Sequence, residues 1–227
     1  MHKRGTHKKP EKIFSVDEAN DRIYDIFRNH NFDYPHDKRL KLAQFYELLM
    51  KNQETENFTR LTKIRDVAIK HYIDSLIILN YTDLKFPLVD MGTGPGFPGI
   101  PLKIHFPEEK IILVEGVKKR IQFLKDVREK LELKELDIIG RYVTPDFVLP
   151  VKGLITRAVE EVSNTLENAV NCVQTGGEVY LMKGPNVDQE IKEAKDKMKH
   201  QFKLTGNHAY ALPKTPHERR LLVYKKL

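Results

Sequence analysis

The chain has 227 residues, of which 40% are hydrophobic, so it can form one main domain with a sizeable core. The sequence lacks an apolar run of about eighteen residues and the apolar stretch of a signal peptide, which argues against a membrane-spanning or secreted protein. The only cysteine, Cys172, has no disulfide partner and is predicted to be a buried, inert thiol in a helix over residues 162–174. We therefore expect a cytoplasmic protein that does not bind membranes.

Basic residues are concentrated at the start of the chain. Residues 1–12 contribute +4 of the formal net charge of +7. We predict a basic flexible arm over residues 1–14, which either serves only solubility or favours an RNA or DNA partner. No group of histidines, cysteines and carboxylates has the spacing of a metal site, so we predict no metal.

The segment after the arm has the pattern of helices. Residues 15–18, Ser-Val-Asp-Glu, form a capping-box pattern that predicts a helix start. Apolar residues continue at helical spacing, and a second amphipathic helix is predicted over 37–51. We therefore predict an N-terminal helical region over residues 15–82, with a boundary near 81–86.

Residues 88–101, LVDMGTGPGFPGIP, predict a strand that ends at a glycine-rich turn and is followed by a helix. The glycines of this turn allow positive φ angles and close approach of a ligand to the backbone. Such a turn is typical of a nucleotide-like site in an α/β sheet. Glycine-rich turns also join elements without binding anything.

A second predicted strand, residues 110–115, ends at Glu115, nineteen residues after Gly96. This spacing fits a carboxylate that accepts hydrogen bonds from ribose hydroxyls, although an acid at this place could also be simply solvated. The turn lacks the lysine-serine ending of a phosphate-binding P-loop, and its glycine spacing is one residue short of the dinucleotide fingerprint. The combination favours S-adenosylmethionine over NAD.

The rest of the chain alternates between helices and strands. The predicted helices lie near 98–105, 118–131, 161–174 and 187–199, and the further predicted strands at 136–140, 151–156 and 177–182. This alternation predicts an α/β fold with a doubly wound, mainly parallel sheet. Residues 201–210 and 219–226 have no helix between them and are predicted to form a terminal antiparallel strand pair.

Seven segments resemble a known family. They are NFTRLT (57–62), KHYIDSL (70–76), VDMGTGPGFPGIPL (89–102), KKRIQFL (118–124), ITRA (155–158), MKG (182–184) and ERRLLVYKK (218–226). In this order they are similar to the RsmG family, also called glucose-inhibited division protein B. The resemblance implies a Rossmann-like S-adenosylmethionine-dependent methyltransferase domain over residues 83–227. It further implies methylation of guanine N7 in the 530 loop of 16S ribosomal RNA. We expect a monomer whose substrate is either the free RNA or the small ribosomal subunit.

The resemblance and the strand-end positions together predict the cofactor contacts. In the glycine block they are Asp90, Gly92, Gly94, Gly96 and Phe97, and Glu115 is predicted to bind the ribose. Tyr142 and Val143 stand where the family has Val-Glu or Ala-Glu, so the adenosine contact must come from backbone groups or the Tyr142 ring. The family's serine or asparagine after the second-strand acid is here Gly116, which removes a polar neighbour.

Arg157 and Asn57 are the predicted catalytic residues. Arg157 follows a strand on the ligand-bearing edge, so it is expected to contact the cofactor and to hold guanine O6 or a phosphate while N7 stays free. The alternative is an ordinary salt bridge. The resemblance places Asn57 beside the cofactor or the target base, and the alternative is a turn cap. His71 is expected to be a structural histidine.

A rim of cations is predicted to bind RNA phosphates. Its members are Lys119, Arg120, Arg141, Lys183, Arg219 and Arg220, each of which could instead be an ordinary solvated charge.

Two other functions stay open. One is a methyltransferase that acts on another RNA, DNA or a small molecule, and the other is a catalytically silent RNA-binding module on the same fold.

Overall fold

The computed structural model describes residues 7–157 and 160–227. Its centre is a sheet whose strands are β1 (Leu88–Met91), β2 (Ile111–Val114), β3 (Leu136–Ile139), β4 (Val151–Arg157), β5 (Val173–Lys183), β6 (Phe202–Ala211) and β7 (Glu218–Lys226). The order across the sheet is β3-β2-β1-β4-β5-β7-β6. Strands β1 to β5 are parallel to one another, and β7 is antiparallel to both β5 and β6. The predicted terminal antiparallel pair is therefore confirmed.

Helices surround this sheet. They are α1 (Val16–Asn29), α2 (His36–Gln53), α3 (Ile64–Val67), α4 (Asp74–Leu76), α5 (Gly99–His105), α6 (Lys118–Lys130), α7 (Val162–Ala169) and α8 (Asp188–Met198). A π-helical stretch, Ala68–Ile73, connects α3 to α4, and a 3₁₀ turn, Ile77–Asn80, follows α4. The predicted capping box is present at the start of α1, where the Glu18 amide donates to the Ser15 hydroxyl and the Ser15 amide donates to the Glu18 carboxylate.

Each face of the sheet is buried against a different set of helices. Side chains that alternate along the strands point to opposite faces, so Leu88 joins the core with α1, α2, α5 and α6, whereas Val89 joins the core with α7 and α8. Strands buried on both faces are mainly apolar, and all four residues of β1 and of β2 are buried, with Asp90 as the one charged residue among the eight. The predicted doubly wound α/β fold is confirmed.

The predicted helix over residues 161–174 is wrong at its C-terminal end. Helix α7 ends at Ala169, and β5 begins at Val173, which pairs with Val151 of β4. The Val151 amide donates to the carbonyl of Cys172, so pairing with the neighbouring strand replaces helical hydrogen bonds here. Cys172 therefore lies between α7 and β5. Its side chain is buried, and burial raises the pKa of its thiol to about 12.

The N-terminal residues that the structure describes contact the helical region. His7 Nε2 lies 2.7 Å from the carbonyl oxygen of Gln53, and the Gln53 side chain donates to the carbonyl of Lys8 at 2.8 Å. Residues 1–6 of the predicted arm lie outside the described residues.

Among the described residues, no helix is both long and apolar enough to cross a membrane. The predicted domain boundaries stay predictions.

Candidate active site

The glycine turn lies at the carboxyl end of β1. Gly92, Gly94 and Gly96 have φ angles of 68°, 61° and 109°, the left-handed region that the sequence predicted for this turn. A Cβ on Gly94 would meet nothing within 4 Å, whereas a Cβ on Gly96 would lie 2.6 Å from the Ile100 side chain. The Gly94 backbone is thus open to a ligand, and Gly96 is additionally required for packing against the core.

Asp90 lies beneath this turn and is fully buried. Its Oδ2 accepts a hydrogen bond from the Gly99 amide at 2.7 Å, at the start of α5. Its Oδ1 is buried and has no hydrogen-bond partner among the described residues. Burial raises the pKa of the Asp90 carboxyl to about 6. A buried acceptor without a partner is costly, and a cationic group of a ligand would satisfy it.

A cavity of about 470 Å³ opens beside the turn, and we call it the cofactor cavity. Four residues predicted to contact the cofactor line it, namely Gly92, Glu115, Tyr142 and Val143. The other lining residues are Met91, Val114, Gly116, Val117, Arg120, Arg141, Thr144, Glu160 and Asn168. The structure thus brings together residues that are distant in the sequence, at the carboxyl ends of β1 and β2 and in the segment after β3.

Glu115 lies on the wall of the cofactor cavity. Its side chain is only 5% exposed, so it is not a solvated surface acid. One carboxylate oxygen accepts from the Val117 amide at 2.8 Å, and the other lies 3.4 Å from an Arg120 nitrogen. The long contact with Arg120 leaves this second oxygen able to accept from a ligand hydroxyl.

The Tyr142 ring lies directly over Gly116. A Cβ on Gly116 would be 2.2 Å from the nearest ring atom, so the ring occupies the space that any side chain at residue 116 would need. Tyr142 is otherwise 67% exposed. The two departures from the family pattern, Gly116 and Tyr142, are therefore sterically complementary.

A second cavity of about 400 Å³ lies at the same edge of the sheet, and we call it the arginine cavity. Its lining residues are Leu61, Lys70, His71, Asp74, Arg157, Met182, Lys183, Gly184 and Arg219. Arg157 enters it from the end of β4 with a side chain that is 17% exposed. The predicted catalytic arginine thus lines a cavity near the glycine turn, and its guanidinium carbon lies 5.4 Å from the centre of the Phe97 ring.

The π-helical stretch and the residue after it hold the Arg157 guanidinium. Nη1 donates to the Lys70 carbonyl at 3.1 Å and to Asp74 Oδ2 at 3.3 Å, and Nη2 donates to His71 Nδ1 at 3.0 Å. A guanidinium carries five N–H donors. Its Nε–H and one Nη2–H therefore have no acceptor among the described residues. The salt bridge that was the alternative prediction for Arg157 is therefore present, and two of its N–H donors remain available to a ligand.

His71 is a neutral, structural histidine, as predicted. Its ring stacks on Phe97 with the ring centres 4.0 Å apart. Because Nδ1 accepts from Arg157, Nε2 carries the proton and donates to the Thr59 hydroxyl at 3.0 Å. Burial, reinforced by the Arg157 charge, lowers the pKa of His71 well below its ordinary value.

All six cations of the predicted RNA rim form ion pairs. The pairs are Lys119–Glu56, Arg120–Glu115, Arg141–Asp146, Lys183–Glu190, Arg219–Asp74 and Arg220–Asp188, at 2.7–3.4 Å. Four of the six line one of the two cavities, whereas Lys119 and Arg220 line neither of them. Sequence patterns did not reveal these pairs, because three of them join residues 32 or more positions apart, and the other three join residues five to seven positions apart that do not share a helix.

Asn57 is exposed in the loop between α2 and α3 and lines neither cavity. Two other residues of this loop contact the site: Leu61 lines the arginine cavity, and Thr59 forms a hydrogen bond with His71. Thr59 and the buried Gln53 that holds the loop were not among the predicted site residues. Thr59 lies within the family segment NFTRLT, but no local pattern indicates its contact with His71, and Gln53 lies outside all seven family segments.

The sheet order, the glycine turn after β1 and the buried acid after β2 define the class of Rossmann-like methyltransferases. Solved structures with this fold include TrmN from Thermus thermophilus, with a TM-score of 0.54 and 16% identity over 70% of this chain and 53% of that chain. A methyltransferase from Pyrococcus furiosus gives a TM-score of 0.54 and 14% identity over 66% of this chain and 79% of that chain. These likenesses concern the fold alone.

The family model GidB, described as rRNA small subunit methyltransferase G, matches residues 38–220, and the chain belongs to this family. A relative from Bdellovibrio bacteriovorus, named ribosomal RNA small subunit methyltransferase G 2, is 60% identical over 98% of this chain and 88% of its own length. A relative from Carboxydothermus hydrogenoformans, named ribosomal RNA small subunit methyltransferase G, is 40% identical over 81% of each chain. The predicted family and the predicted S-adenosylmethionine-dependent enzyme class are confirmed.

Among the described residues, no group of three or more histidines, cysteines or carboxylates could hold a metal ion.

The fit between Gly116 and Tyr142 can be tested by combining substitutions. Gly116→Ser should weaken S-adenosylmethionine binding about tenfold, or ~1.4 kcal/mol, because the new side chain displaces the Tyr142 ring from the cavity wall. In a Tyr142→Ala background the same change should have little further effect. Calorimetry on the four variants measures this coupling, and equal effects in both backgrounds would show that the ring and Gly116 act independently. Gly140→Ser is the control, since the three atoms nearest to its Cβ would all belong to Ile121, the first at 3.1 Å, and none to Tyr142.

The raised pKa of Asp90 predicts a pH-dependent cofactor affinity. Protonation removes the negative charge that would pair with the cofactor ammonium, so the dissociation constant should rise as the pH falls through about 6. Asp90→Asn should bind weakly and show no such dependence in this range. Calorimetry between about pH 5 and pH 8 measures both proteins. A wild-type affinity that is flat over this range would remove Asp90 from ammonium binding.

Proposed function

We propose that the chain transfers a methyl group from S-adenosylmethionine to guanine N7 in the 530 loop of 16S ribosomal RNA. The observation that carries the proposal is the position of a partly satisfied arginine, Arg157, in a cavity beside the glycine turn of a chain that belongs to this methyltransferase family. The arginine cavity is the proposed place of the target base, and the cofactor cavity is the proposed place of the cofactor.

The residues of the cofactor cavity, together with Asp90 beneath the adjacent glycine turn, fit S-adenosylmethionine chemically. The unpaired Oδ1 of Asp90 would accept from the ammonium of the methionine part, and the second oxygen of Glu115 would accept from the ribose hydroxyls. Tyr142 and Val143 would contact the adenine through an aromatic ring and an apolar side chain. The cofactor supplies an electrophilic methyl group on a sulfonium.

The reaction requires little from protein side chains except positioning. Guanine N7 has an available lone pair, so it attacks the methyl carbon without prior loss of a proton, and no general base is needed. The two donors of Arg157 that have no acceptor among the described residues would hold guanine O6 or a neighbouring phosphate and leave N7 free. Asn57, which is exposed in the neighbouring loop, would contact the base only if RNA binding brings the two together.

RNA would bind along the edge that carries both cavities. The six paired cations would contribute by exchanging their carboxylate partners for phosphates, which reduces the net gain from each contact. The basic arm would add electrostatic attraction, with the free RNA or the small ribosomal subunit as substrate. We further propose that the protein acts in the cytoplasm as a monomer.

The experiment that tests this function compares 16S ribosomal RNA from a wild-type strain and from a strain in which the gene is deleted. Mass analysis of nuclease fragments should show the loss of one methyl group, and only from the fragment that contains the 530 loop. Restoration by the wild-type gene is the control. A loss from another fragment would identify a different target, and an unchanged 530-loop fragment would contradict the proposed function.

A further inference from the structure

Gln53, the last residue of α2, joins the basic segment of residues 7–9 to the basic loop of residues 57–63. It is fully buried, and its Nε2 donates to the Lys8 carbonyl at 2.8 Å. Its Oε1 accepts from the amides of Phe58 and Thr59 at 2.9 Å and 3.0 Å. Its main-chain carbonyl oxygen also lies 2.7 Å from the His7 ring nitrogen, so Gln53 holds the start of the described chain against the loop of residues 57–63.

The same loop is connected to the arginine cavity by hydrogen bonds. The Thr59 hydroxyl accepts from the Leu61 amide at 3.0 Å and from His71, which in turn accepts from Arg157. Leu61 itself lines the cavity. An uninterrupted series of hydrogen bonds therefore runs from Gln53 through Thr59 and His71 to Arg157.

The cations on the two segments that Gln53 joins are less strongly paired with carboxylates than the cations of the predicted rim. Lys8, Lys9 and Arg60 are exposed, and none of them forms an ion pair with a carboxylate in the part of the chain that the structure describes. Lys63, in the same loop, has only a 3.9 Å contact with the exposed Glu11. A phosphate can approach these cations without first displacing a carboxylate, so each contact gains more than at a paired cation.

We infer that Gln53 holds residues 7–9 and the loop of residues 57–63 together as one docking surface for the phosphate backbone of RNA. Because the surface is fixed to Arg157 through Thr59 and His71, RNA bound there would enter the arginine cavity in a defined position. Gln53 is thus a positioning residue, and Arg60 is a direct RNA contact. The inference rests on the proposed ribosomal RNA substrate, and it identifies the surface of the protein that binds the RNA beside the target base.

The test compares Gln53→Met, which removes the connection without changing charge, with Arg60→Ala, which removes one charge and keeps the connection. Matched controls are Asn52→Ala, which removes the neighbouring amide, and Lys152→Ala, which removes an exposed cation at the opposite end of β4 from Arg157. RNA affinity across a salt series and saturated turnover with tritiated S-adenosylmethionine are measured on small subunits from the deletion strain. Circular dichroism and S-adenosylmethionine affinity report folding.

Arg60→Ala should weaken RNA binding about three- to tenfold and reduce the salt slope by about one. Gln53→Met should weaken RNA binding by a similar factor and also lower saturated turnover, with cofactor affinity unchanged, and both controls should behave as wild type. A folded Gln53→Met protein with wild-type RNA affinity, salt slope and turnover would overturn the inference, as would equal effects of Arg60→Ala and Lys152→Ala. If wild type itself does not methylate these subunits, the proposed function fails instead.

If Gln53→Met does not fold, Thr59→Val tests the same connection one step further along. This change removes the hydroxyl that accepts from His71 and leaves the hydrogen bonds between Gln53 and the loop in place. It should lower saturated turnover with little change in RNA affinity or salt slope. Unchanged turnover in folded Thr59→Val would show that the docking surface is not coupled to Arg157.

Discussion

The ion pair between Arg157 and Asp74 is the interaction on which the site depends. Burial lowers the pKa of the guanidinium from its ordinary value, and the Asp74 carboxylate opposes that shift. Breaking a buried pair by removing one partner typically costs about 3–5 kcal/mol, because the remaining charge stays uncompensated. Asp74 also accepts from Arg219 at 3.2 Å. One carboxylate thus ties the helical region to both β4 and β7.

This pair explains why the helical region belongs to the site. The Lys70 carbonyl, His71 and Asp74 lie within or directly after the π-helical stretch, and π-helical turns frequently occur at functional sites. They fix the position of the guanidinium in the lining of the arginine cavity. Such preorganised donors do not have to reorient when a base binds, which is what a reaction controlled by positioning requires.

Local sequence patterns predicted most of the fold and the cofactor side of the site. The glycine turn and the acid at residue 115 follow from short motifs that have a physical reason, whereas Tyr142 and Val143 were predicted from the family resemblance. Together with Gly92 and Glu115 these two residues line one cavity, and their contact with the cofactor stays a prediction. The end of α7 was mispredicted, because helical spacing of apolar residues continues into a segment that pairs with β4 instead. Pairing across the sheet is a tertiary contact that a local pattern does not encode.

The substrate side was less predictable for the same reason. The carboxylate partners of three rim cations lie far away in the sequence, as with Arg219 and Asp74, so the sequence does not distinguish such a paired cation from an unpaired one. Gln53 holds segments 45 residues before it and five or six residues after it. A single glutamine at the end of a helix carries no signal of that role.

The most direct test of this account is the saturated turnover of Arg157→Ala relative to its RNA affinity, measured with tritiated S-adenosylmethionine on small subunits from the deletion strain. If Arg157 orients the target guanine, turnover should fall by about tenfold or more while RNA affinity changes little. Arg157→Lys, which keeps the charge but not the planar set of donors, should remain impaired. Normal turnover in a folded Arg157→Ala protein would contradict the account.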